Sequence, residues 1–168
     1  MAGASISFTI TDRAVLRGFD QLGRLMTNTR PVMAAIGTEL VASTVMRFVT
    51  QTDPTGGHWI ALNPEYAAGK RNARILTERG RLRDSINSRP SNHEVRIGTN
   101  LVYAAIHQFG GVIRPVKAKH LFFRMGGNLV VANRVTLPAR PYLGISKDDQ
   151  TSIAEIVFSF IDRYTAQP

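Results

Sequence analysis

Four histidines and twelve acidic residues are the side chains of this sequence that could bind a metal or act as general acids and bases. No two histidines have the spacing that places metal ligands together on a helix or a hairpin. The histidines are His58, His93, His107 and His120. The acids stand singly along the chain, except for Asp148 and Asp149, which the start of a helix explains. We therefore expect neither a metal centre nor a two-metal nuclease site.

Other catalytic signatures are also missing. The sequence contains no His-Glu-x-x-His, Gly-x-Ser-x-Gly, Walker lysine loop or Gly-x-Gly-x-x-Gly. It has no cysteine, which removes disulfides, thiol nucleophiles and thiolate metal sites together. The pair Gly126-Gly127 favours a hairpin turn over a phosphate cradle, since no helix follows it. We expect no enzymatic activity and no cofactor, and we interpret His107 as a structural histidine bonded to a backbone carbonyl.

The chain is strongly basic, with 21 Lys and Arg against 12 Asp and Glu, a formal charge of +9 and a pI near 10.8. This balance attracts polyanions, which include nucleic acids and acidic protein surfaces. A local group of arginines lies between residues 70 and 83. With Lys70, it comprises Arg71, Arg74, Arg79, Arg81 and Arg83. Four of these are singled out: Arg71, Arg74, Arg81 and Arg83. They are candidates for contact with DNA in a channel or with acidic partners, and a solvated basic face explains them equally well.

Residues 101–111 form the stretch around which the other elements are expected to be arranged. Tyr103, Ile106 and Phe109 recur every three residues, so with Val102 they share one face of a predicted helix. We expect this face to point into the core. The glycines at 110 and 111 end the helix, because glycine tolerates the left-handed conformation of a helix C-terminus.

Hydrophobic periodicity predicts an α+β fold, with long N-terminal helices and a C-terminal helix packed on a small, mainly antiparallel curved sheet that includes an aromatic hairpin. The pattern indicates a strand at residues 5–11 and helices at 12–27 and 31–50. Trp59 is expected to fill the core, and Ser146 with Asp149 to form a capping box for the last helix. Asn63 is expected to cap a short helix opened by Pro64, with Tyr66 on its inner side and Lys70 on its outer side. Residues 89–92 are predicted as a turn.

The length of 168 residues and the 43% hydrophobic content suit one well-buried core, so we expect a single domain spanning 1–168. Residues 1–58 would supply a strand, long helices and an exposed loop, residues 59–145 a motif-bearing core, and residues 146–168 the last helix. No uninterrupted apolar run approaches the roughly 18 to 20 residues of a membrane span, and no signal peptide is visible. We expect a soluble, unprocessed chain without a membrane partner.

Three segments are candidates for contact with other proteins, and the first is the predicted strand at residues 5–11, since an unpaired edge strand is open to pairing. Residues 52–58 are rich in turn formers without periodicity, which predicts an exposed loop. The prolines at 138 and 141 predict a stiff connector that presents side chains to its surroundings. The candidate interface residues are Thr55, Gly56, Gly57, His58, Arg140 and Tyr142. For Arg140 we favour a structural pairing with a carboxylate or with helix-end carbonyls over a partner contact.

Four motifs in order along the chain resemble the phage virion morphogenesis family. They are Trp59-x-x-Leu62-x-x-x-Tyr66-x-x-x-Lys70, Ile75-Leu76-Thr77-x-x-Gly80-x-Leu82-x-x-Ser85-Ile86, Tyr103-Ala104-x-Ile106-His107-Gln108-Phe109-Gly110-Gly111 and Leu137-Pro138-Ala139-Arg140-Pro141-Tyr142-Leu143-Gly144. Each motif is weak alone, and their combination is specific. The resemblance covers the chain from Trp59 to the last helix, and it points to the tail-completion proteins of Mu-like and P2-like tailed bacteriophages.

The resemblance implies a noncatalytic virion protein at the head-proximal end of the tail, the neck, assembled in the host cytoplasm. It further implies a ring of identical subunits, taken as a hexamer, that contacts tail-tube or tail-terminator proteins and the head–tail connector. A basic nucleic-acid-binding module is the alternative, favoured if the arginines of residues 70–83 form one stripe and disfavoured by the lack of aromatic residues between them. A virion-borne nuclease or cell-wall hydrolase is a third, weaker alternative.

Overall fold

The computed structural model describes Gly23 and residues 27–165. Gly23 and Thr27 are helical. The rest of the predicted first strand and first helix lies outside the described residues, as does the end of the chain after residue 165.

Helix α1, Arg30–Thr50, is the first long element of the described chain. Pro31 stands in its first turn, where the missing N–H would have no partner in any case. Thr29 takes the N-cap position but its side chain makes no capping bond, and the helix ends at Gln51, whose φ of 58° is left-handed. The predicted helix at 31–50 is confirmed. Its buried stripe is Val32, Ile36, Gly37, Leu40, Thr44, Arg47 and Phe48.

The last helix, α5 (Lys147–Thr165), packs against α1. Its start is the predicted capping box, because the Asp149 N–H donates to Ser146 Oγ (3.0 Å) and the Ser146 N–H donates to Asp149 Oδ2 (2.7 Å). Apolar residues of α5 cover the stripe of α1. They are Ile153, Ile156, Val157, Phe160 and Ile161. The predicted last helix is therefore confirmed.

Short elements connect these two helices. In chain order they are α2 (Pro64–Ala68), α3 (Arg81–Asp84), β1 (Asn87–Pro90), β2 (Val95–Gly98), α4 (Ala104–Phe109), β3 (Gly111–Ile113), β4 (Leu121–Met125), β5 (Asn128–Ala132) and β6 (Val135–Leu137). All strand pairs of the described chain are antiparallel: β1 with β2, β3 with β6, and β4 with β5. The α+β class is confirmed, although the strands form three separate two-stranded sheets instead of one curved sheet.

The β1–β2 hairpin lies directly on α1. The close approach depends on Gly37, since a Cβ there would come within 2.9 Å of the Ser88 and Val95 side chains. The sequence predicted a turn at residues 89–92. That prediction is partly wrong, because Arg89 and Pro90 belong to β1, and Pro90 is tolerated at the last position of an edge strand.

By length and composition α1 could cross a membrane, with a mean hydropathy of 1.5 over an 18-residue window. A core helix meets the same criterion. Since α1 packs on α5, β1 and β2 and carries a buried ion pair, we interpret it as a core helix.

The core beside α1 is built on aromatic rings. Phe48 and Tyr142 are each 1% exposed, and Trp59 is 6% exposed, which confirms that Trp59 fills the core. The centroid of the Phe48 ring lies 5.6 Å from the centroid of the Trp59 ring, in an edge-to-face arrangement, and 5.3 Å from the centroid of the Tyr142 ring. Leu82 and Ile86 complete this cluster with Ala104 from α4.

The prediction that Val102, Tyr103, Ile106 and Phe109 form the inner face of α4 is wrong. Val102 is 97% exposed and Phe109 is 77% exposed, whereas Ala104 is buried. The helix is only six residues long and ends at Gly110, so its sequence periodicity covers too few turns to identify the buried side. Gly110 confirms the predicted stop, with φ of 69° and a Cβ position only 2.6 Å from the Ala139 nitrogen.

Candidate functional site

The connector at residues 138–144 has no regular structure, and side chains from other elements satisfy its backbone. Gln108 of α4 pairs with it as a neighbouring strand would. Its Nε2 donates to the Leu143 carbonyl (2.9 Å), while its Oε1 accepts from the N–H groups of Tyr142 and Leu143 (3.0 Å each). One amide side chain thereby fixes the connector to α4.

Arg47 of α1 holds the connector from the other side. Its Nη1 donates to the carbonyls of Tyr142 and Gly144, both at 2.9 Å, and its Nη2 forms an ion pair with Asp149. The two side chains are 6% and 3% exposed. A buried arginine needs such a full set of acceptors, because a desolvated charge without partners is costly.

Asp149 links the start of α5 to this arrangement. Burial by itself would raise the pKa of Asp149, but hydrogen bonds from Ser146 and Ser43 and the charge of Arg47 outweigh it and hold the pKa below its usual value. The carboxylate therefore stays ionised. It caps the start of α5, and it holds Arg47, which in turn binds the connector. We call Arg47, Gln108, Arg140, Tyr142 and Asp149 the connector cluster.

Arg140 is a structural residue. Its Nε donates to the Ile60 carbonyl (2.8 Å) and its Nη2 to the Ala61 carbonyl (3.0 Å), while its own N–H donates to the His107 carbonyl (2.8 Å). The favoured structural pairing is present, but the acceptors are carbonyls of a segment without regular structure instead of a helix end. Arg140 is 6% exposed, and this burial lowers its pKa. The prediction that the Arg140 side chain lies at an interface is therefore wrong, because this side chain is buried and bonded within its own subunit.

The interface prediction for Tyr142 is wrong for the same reason. Its ring is 1% exposed and packs on Phe48, and its hydroxyl donates to the Ala104 carbonyl (3.2 Å). The preceding carbonyl, of Pro141, accepts from the Trp59 indole N–H (2.8 Å). The prolines do make a connector without regular structure, but it turns the Arg140 and Tyr142 side chains inward and presents neither to a partner.

The loop at residues 52–58 is exposed, as expected, and it is also ordered by its own hydrogen bonds. Asp53 Oδ1 accepts from the Thr55 N–H (2.7 Å), the Thr55 hydroxyl (2.6 Å) and the Gly57 N–H (3.0 Å). The Thr55 hydroxyl bond is the largest reason that the pKa of Asp53 is lowered. A bridge between Thr52 and His58 closes the loop. Thr55, Gly56, Gly57 and His58 are all exposed.

This loop rests on the connector through Gly144. A Cβ at Gly144 would lie 2.5 Å from Pro54 Cγ, and the φ of 155° at Gly144 also disfavours a side chain. The loop position therefore depends on the connector cluster, because Arg47 binds the Gly144 carbonyl.

The basic segment at residues 70–83 is mixed in character. Arg71, Arg74 and Arg81 are exposed and form no ion pair with other described residues. Arg83 pairs with Asp84 (2.7 Å), which raises the Arg83 pKa. We therefore do not describe these four arginines as one continuous basic stripe.

The predicted orientations of Lys70 and Tyr66 are wrong, since Lys70 is turned inward and Tyr66 outward. The Lys70 side chain is 6% exposed and its Nζ donates to the Thr77 carbonyl (3.0 Å) and to Glu78 (2.7 Å). Tyr66, expected on the inner side, is 45% exposed. The cap of α2 itself is as predicted, with Asn63 Oδ1 accepting from two N–H groups of the first turn.

His107 does not have the backbone partner expected for it. Its Nδ1 is buried without a hydrogen-bond partner, and its ring meets the Tyr103 ring edge-on at 5.9 Å. Burial and the nearby charge of Arg140 lower the pKa of His107. Within the part of the chain that the structure describes, no three histidines or acids lie close enough together to hold a metal ion.

Sequence reasoning missed Arg47 and Gln108. The signal for Arg47 was its position, because it continues the buried stripe of α1 three residues after Thr44 and seven after Leu40. A charged residue inside an apolar stripe indicates a buried partner. Gln108 left no comparable signal, since its partners are backbone groups more than thirty residues away.

Comparison with known proteins agrees with the motifs. The model of the phage virion morphogenesis family matches residues 10–162. The putative capsid assembly protein G of Escherichia phage Mu is 31% identical over 151 residues, with 86% of each chain covered. The Mu-like prophage FluMu G protein 2 of Haemophilus influenzae is 30% identical over 142 residues, with 84% of each chain covered. No solved structure matches the chain.

The family match includes all four motifs and most of the N-terminal region that the motifs do not reach. It supports a structural role in phage assembly, among the other proteins of the virion. On this evidence the chain belongs to the phage virion morphogenesis family.

Proposed function

We propose that this protein completes the phage tail at its head-proximal end as a noncatalytic ring of identical subunits around the path of the DNA. The observation that carries the proposal is the family match over residues 10–162. The relative from phage Mu is named a putative capsid assembly protein, which is consistent with work at the junction of head and tail.

The connector cluster supports a noncatalytic role. Catalytic groups in proteins face a cleft where substrate can reach them. Here Arg47, Arg140 and Asp149 are all at most 6% exposed and bind backbone carbonyls, N–H groups or each other. Their charges are used to hold a connector in place, so function must lie on the surface.

The loop at residues 52–58 is one proposed intersubunit contact. It is exposed and its shape is fixed before binding by Asp53, so docking costs little conformational entropy. Residues 5–11, which the sequence predicts as a strand, are the second proposed contact. We propose that Thr55, Gly56, Gly57 and His58 meet a neighbouring subunit or a tail protein.

The size of the chain allows a ring that DNA can pass through. A globule of this length has a radius of gyration of about 15 Å and a width of about 40 Å, so six copies in a ring enclose a hole of roughly 40 Å. We propose that Arg71, Arg74, Arg81 and Arg83 face this channel or acidic neighbours. The contact with DNA is then diffuse and weak, since tight phosphate binding would hinder passage of the genome.

A basic nucleic-acid-binding module is the second candidate. The three exposed arginines without an ion pair among the described residues favour it. Binding of duplex DNA measured across salt concentrations separates the two functions. Weak binding that disappears at moderate salt supports the channel, whereas tight binding that survives it supports the module.

The proposed function is tested in a phage lysate that lacks this protein, with variants supplied in trans. Its absence should leave filled heads and full-length tails that do not join. A chain lacking Thr55 to Gly57 should fold, because these residues are outside the core, and should fail to restore joined particles. Normal particle yield without the protein, or with the deleted chain, contradicts the corresponding part of the proposal.

A further inference from the structure

The hairpin of β4 and β5 carries apolar side chains where a surface strand normally carries polar ones. Phe122 and Val131 are directly opposite each other and are 63% and 52% exposed. Leu129, opposite Arg124 on the same face, is 66% exposed. A half-buried antiparallel strand alternates apolar residues inward and polar residues outward. We call Phe122, Arg124, Leu129 and Val131 the hairpin face.

The side chains on the other face of the hairpin are less exposed. Leu121, Phe123, Met125, Val130 and Ala132 are half-buried. The hairpin tip also touches the body, because a Cβ at Gly126 would lie 3.5 Å from the Glu65 carbonyl oxygen. The hairpin tip therefore contacts its own subunit, and the hairpin face remains exposed.

The charged residues that flank the hairpin face along the chain are all positive, and Glu65 lies near the hairpin tip at Gly126. No Asp or Glu occurs from residue 95 to residue 147, while Arg114, Lys117, Lys119, Arg124 and Arg134 flank or belong to the hairpin and are exposed. Two copies of this face would repel each other, so a symmetric contact between hairpin faces is unfavourable. Its partner must combine apolar surface with negative charge.

A groove of that kind lies between α1 and α5. Its volume is about 500 Å³, and its lining includes Ile156, Phe160, Glu39 and Glu155. Neither glutamate forms an ion pair with another described residue, although Arg163 lines the same groove, where it stacks on the Phe160 ring at 5.6 Å. Four other carboxylates of the described chain, those of Asp149, Glu78, Asp84 and Glu94, are paired with Arg47, Lys70, Arg83 and Arg96.

We propose that the hairpin face of one copy docks into the α1–α5 groove of the next copy. Phe122, Leu129 and Val131 would cover Ile156 and Phe160, and Arg124 with the neighbouring lysines would meet Glu39 and Glu155. Such a contact joins two different surfaces of the same chain, which is the arrangement that closes into a ring when the rotation allows it. This inference rests on the proposed ring and names the two surfaces that build it.

Two variants separate the surfaces. The hairpin variant carries Phe122→Ser and Leu129→Ser, and the groove variant carries Glu39→Lys and Glu155→Lys. All four residues are at least partly exposed, so each variant should fold like the wild type, which circular dichroism checks. Phe158→Ser is the matched control, because Phe158 is 65% exposed but does not line the groove.

Mass photometry or sedimentation velocity across concentrations should show oligomers for the wild type and the control, and monomers for each variant alone. An equal mixture of the two variants should form dimers and nothing larger. The hairpin variant keeps an intact groove and the groove variant keeps an intact hairpin face, so one productive contact remains.

A mixture that stays monomeric, a hairpin variant that still assembles, or a wild type that is monomeric at every concentration overturns the inference. Assembly of both variants would overturn this contact and leave the proposed function standing. Failure of the proposed function would appear separately, as normal joining of heads and tails in the lysate without the protein.

Discussion

The connector cluster and the hairpin face use their side chains in opposite ways. In the connector cluster, charged and polar side chains are buried and each has its acceptors or donors. On the hairpin face, large apolar side chains are exposed to solvent. Polar residues thus hold a connector without regular structure inside the subunit, whereas the exposed apolar residues are available for the contacts between subunits that we propose.

The strongest test of the buried side is Arg47→Met, which keeps much of the side-chain volume but leaves Asp149 buried without its cation. Loss of one partner of a buried pair costs about 3–5 kcal/mol. Urea unfolding should show this fall in the free energy of unfolding. Arg81→Met is the control and should change it by less than about 0.5 kcal/mol, because Arg81 is exposed. Equal, small effects of the two changes would contradict the account.

The pH dependence of stability sharpens the same point. The pKa of Asp149 is lower in the folded chain than the usual value of an aspartate, so the folded state favours the ionised form. Its stabilising contribution is complete above the unfolded pKa and is lost as the pH falls through the folded pKa. Asp149→Asn should therefore make unfolding less dependent on pH in the acid range below about pH 4. Unchanged pH profiles would show that the carboxylate is not stabilised by folding.

Arg140→Lys should have an intermediate effect. Lysine keeps the charge but loses the planar fork that reaches the Ile60 and Ala61 carbonyls together. We expect the free energy of unfolding to fall by about 1–3 kcal/mol, measured by chemical denaturation. A fall of that size with normal oligomers would confirm that Arg140 acts within the subunit. Unchanged stability with lost assembly would return Arg140 to the interface.

The smallest effect on stability is expected at the hairpin face. Phe122→Ser alone should change the thermal midpoint by no more than about 2 °C, because its ring is 63% exposed in the isolated subunit. The same change should weaken association measurably. A large loss of stability would mean that the ring packs within its own subunit, and the comparison between the two regions would lose its basis.

The elements that the sequence predicted well are those with long patterns or local chemistry. Helices α1 and α5 have several turns of apolar periodicity, and Asn63 and the Ser146–Asp149 box identify helix starts through residues a few positions apart. The family motifs were also recognisable, because glycines, prolines and aromatic residues recur at fixed spacing.

Burial on the short elements could not be predicted in the same way. In the six-residue α4, Phe109 is exposed, Ala104 is buried and His107 is half-buried. Val102, just before the helix, is also exposed, because the connector fixes the orientation of α4 from more than thirty residues away. Tyr142 followed a proline and resembled an exposed loop residue, yet its ring fills the core. Such outcomes depend on tertiary contacts that leave no periodic trace in a short segment.

The measurement that tests the central proposal most directly is a reconstruction of the intact particle by electron cryomicroscopy. We expect a closed sixfold ring of this protein around the DNA path at the head-proximal end of the tail, with the hairpin face of each copy in the α1–α5 groove of the next. Isolated copies on the outside of the tail, or a twofold dimer away from the axis, would contradict it.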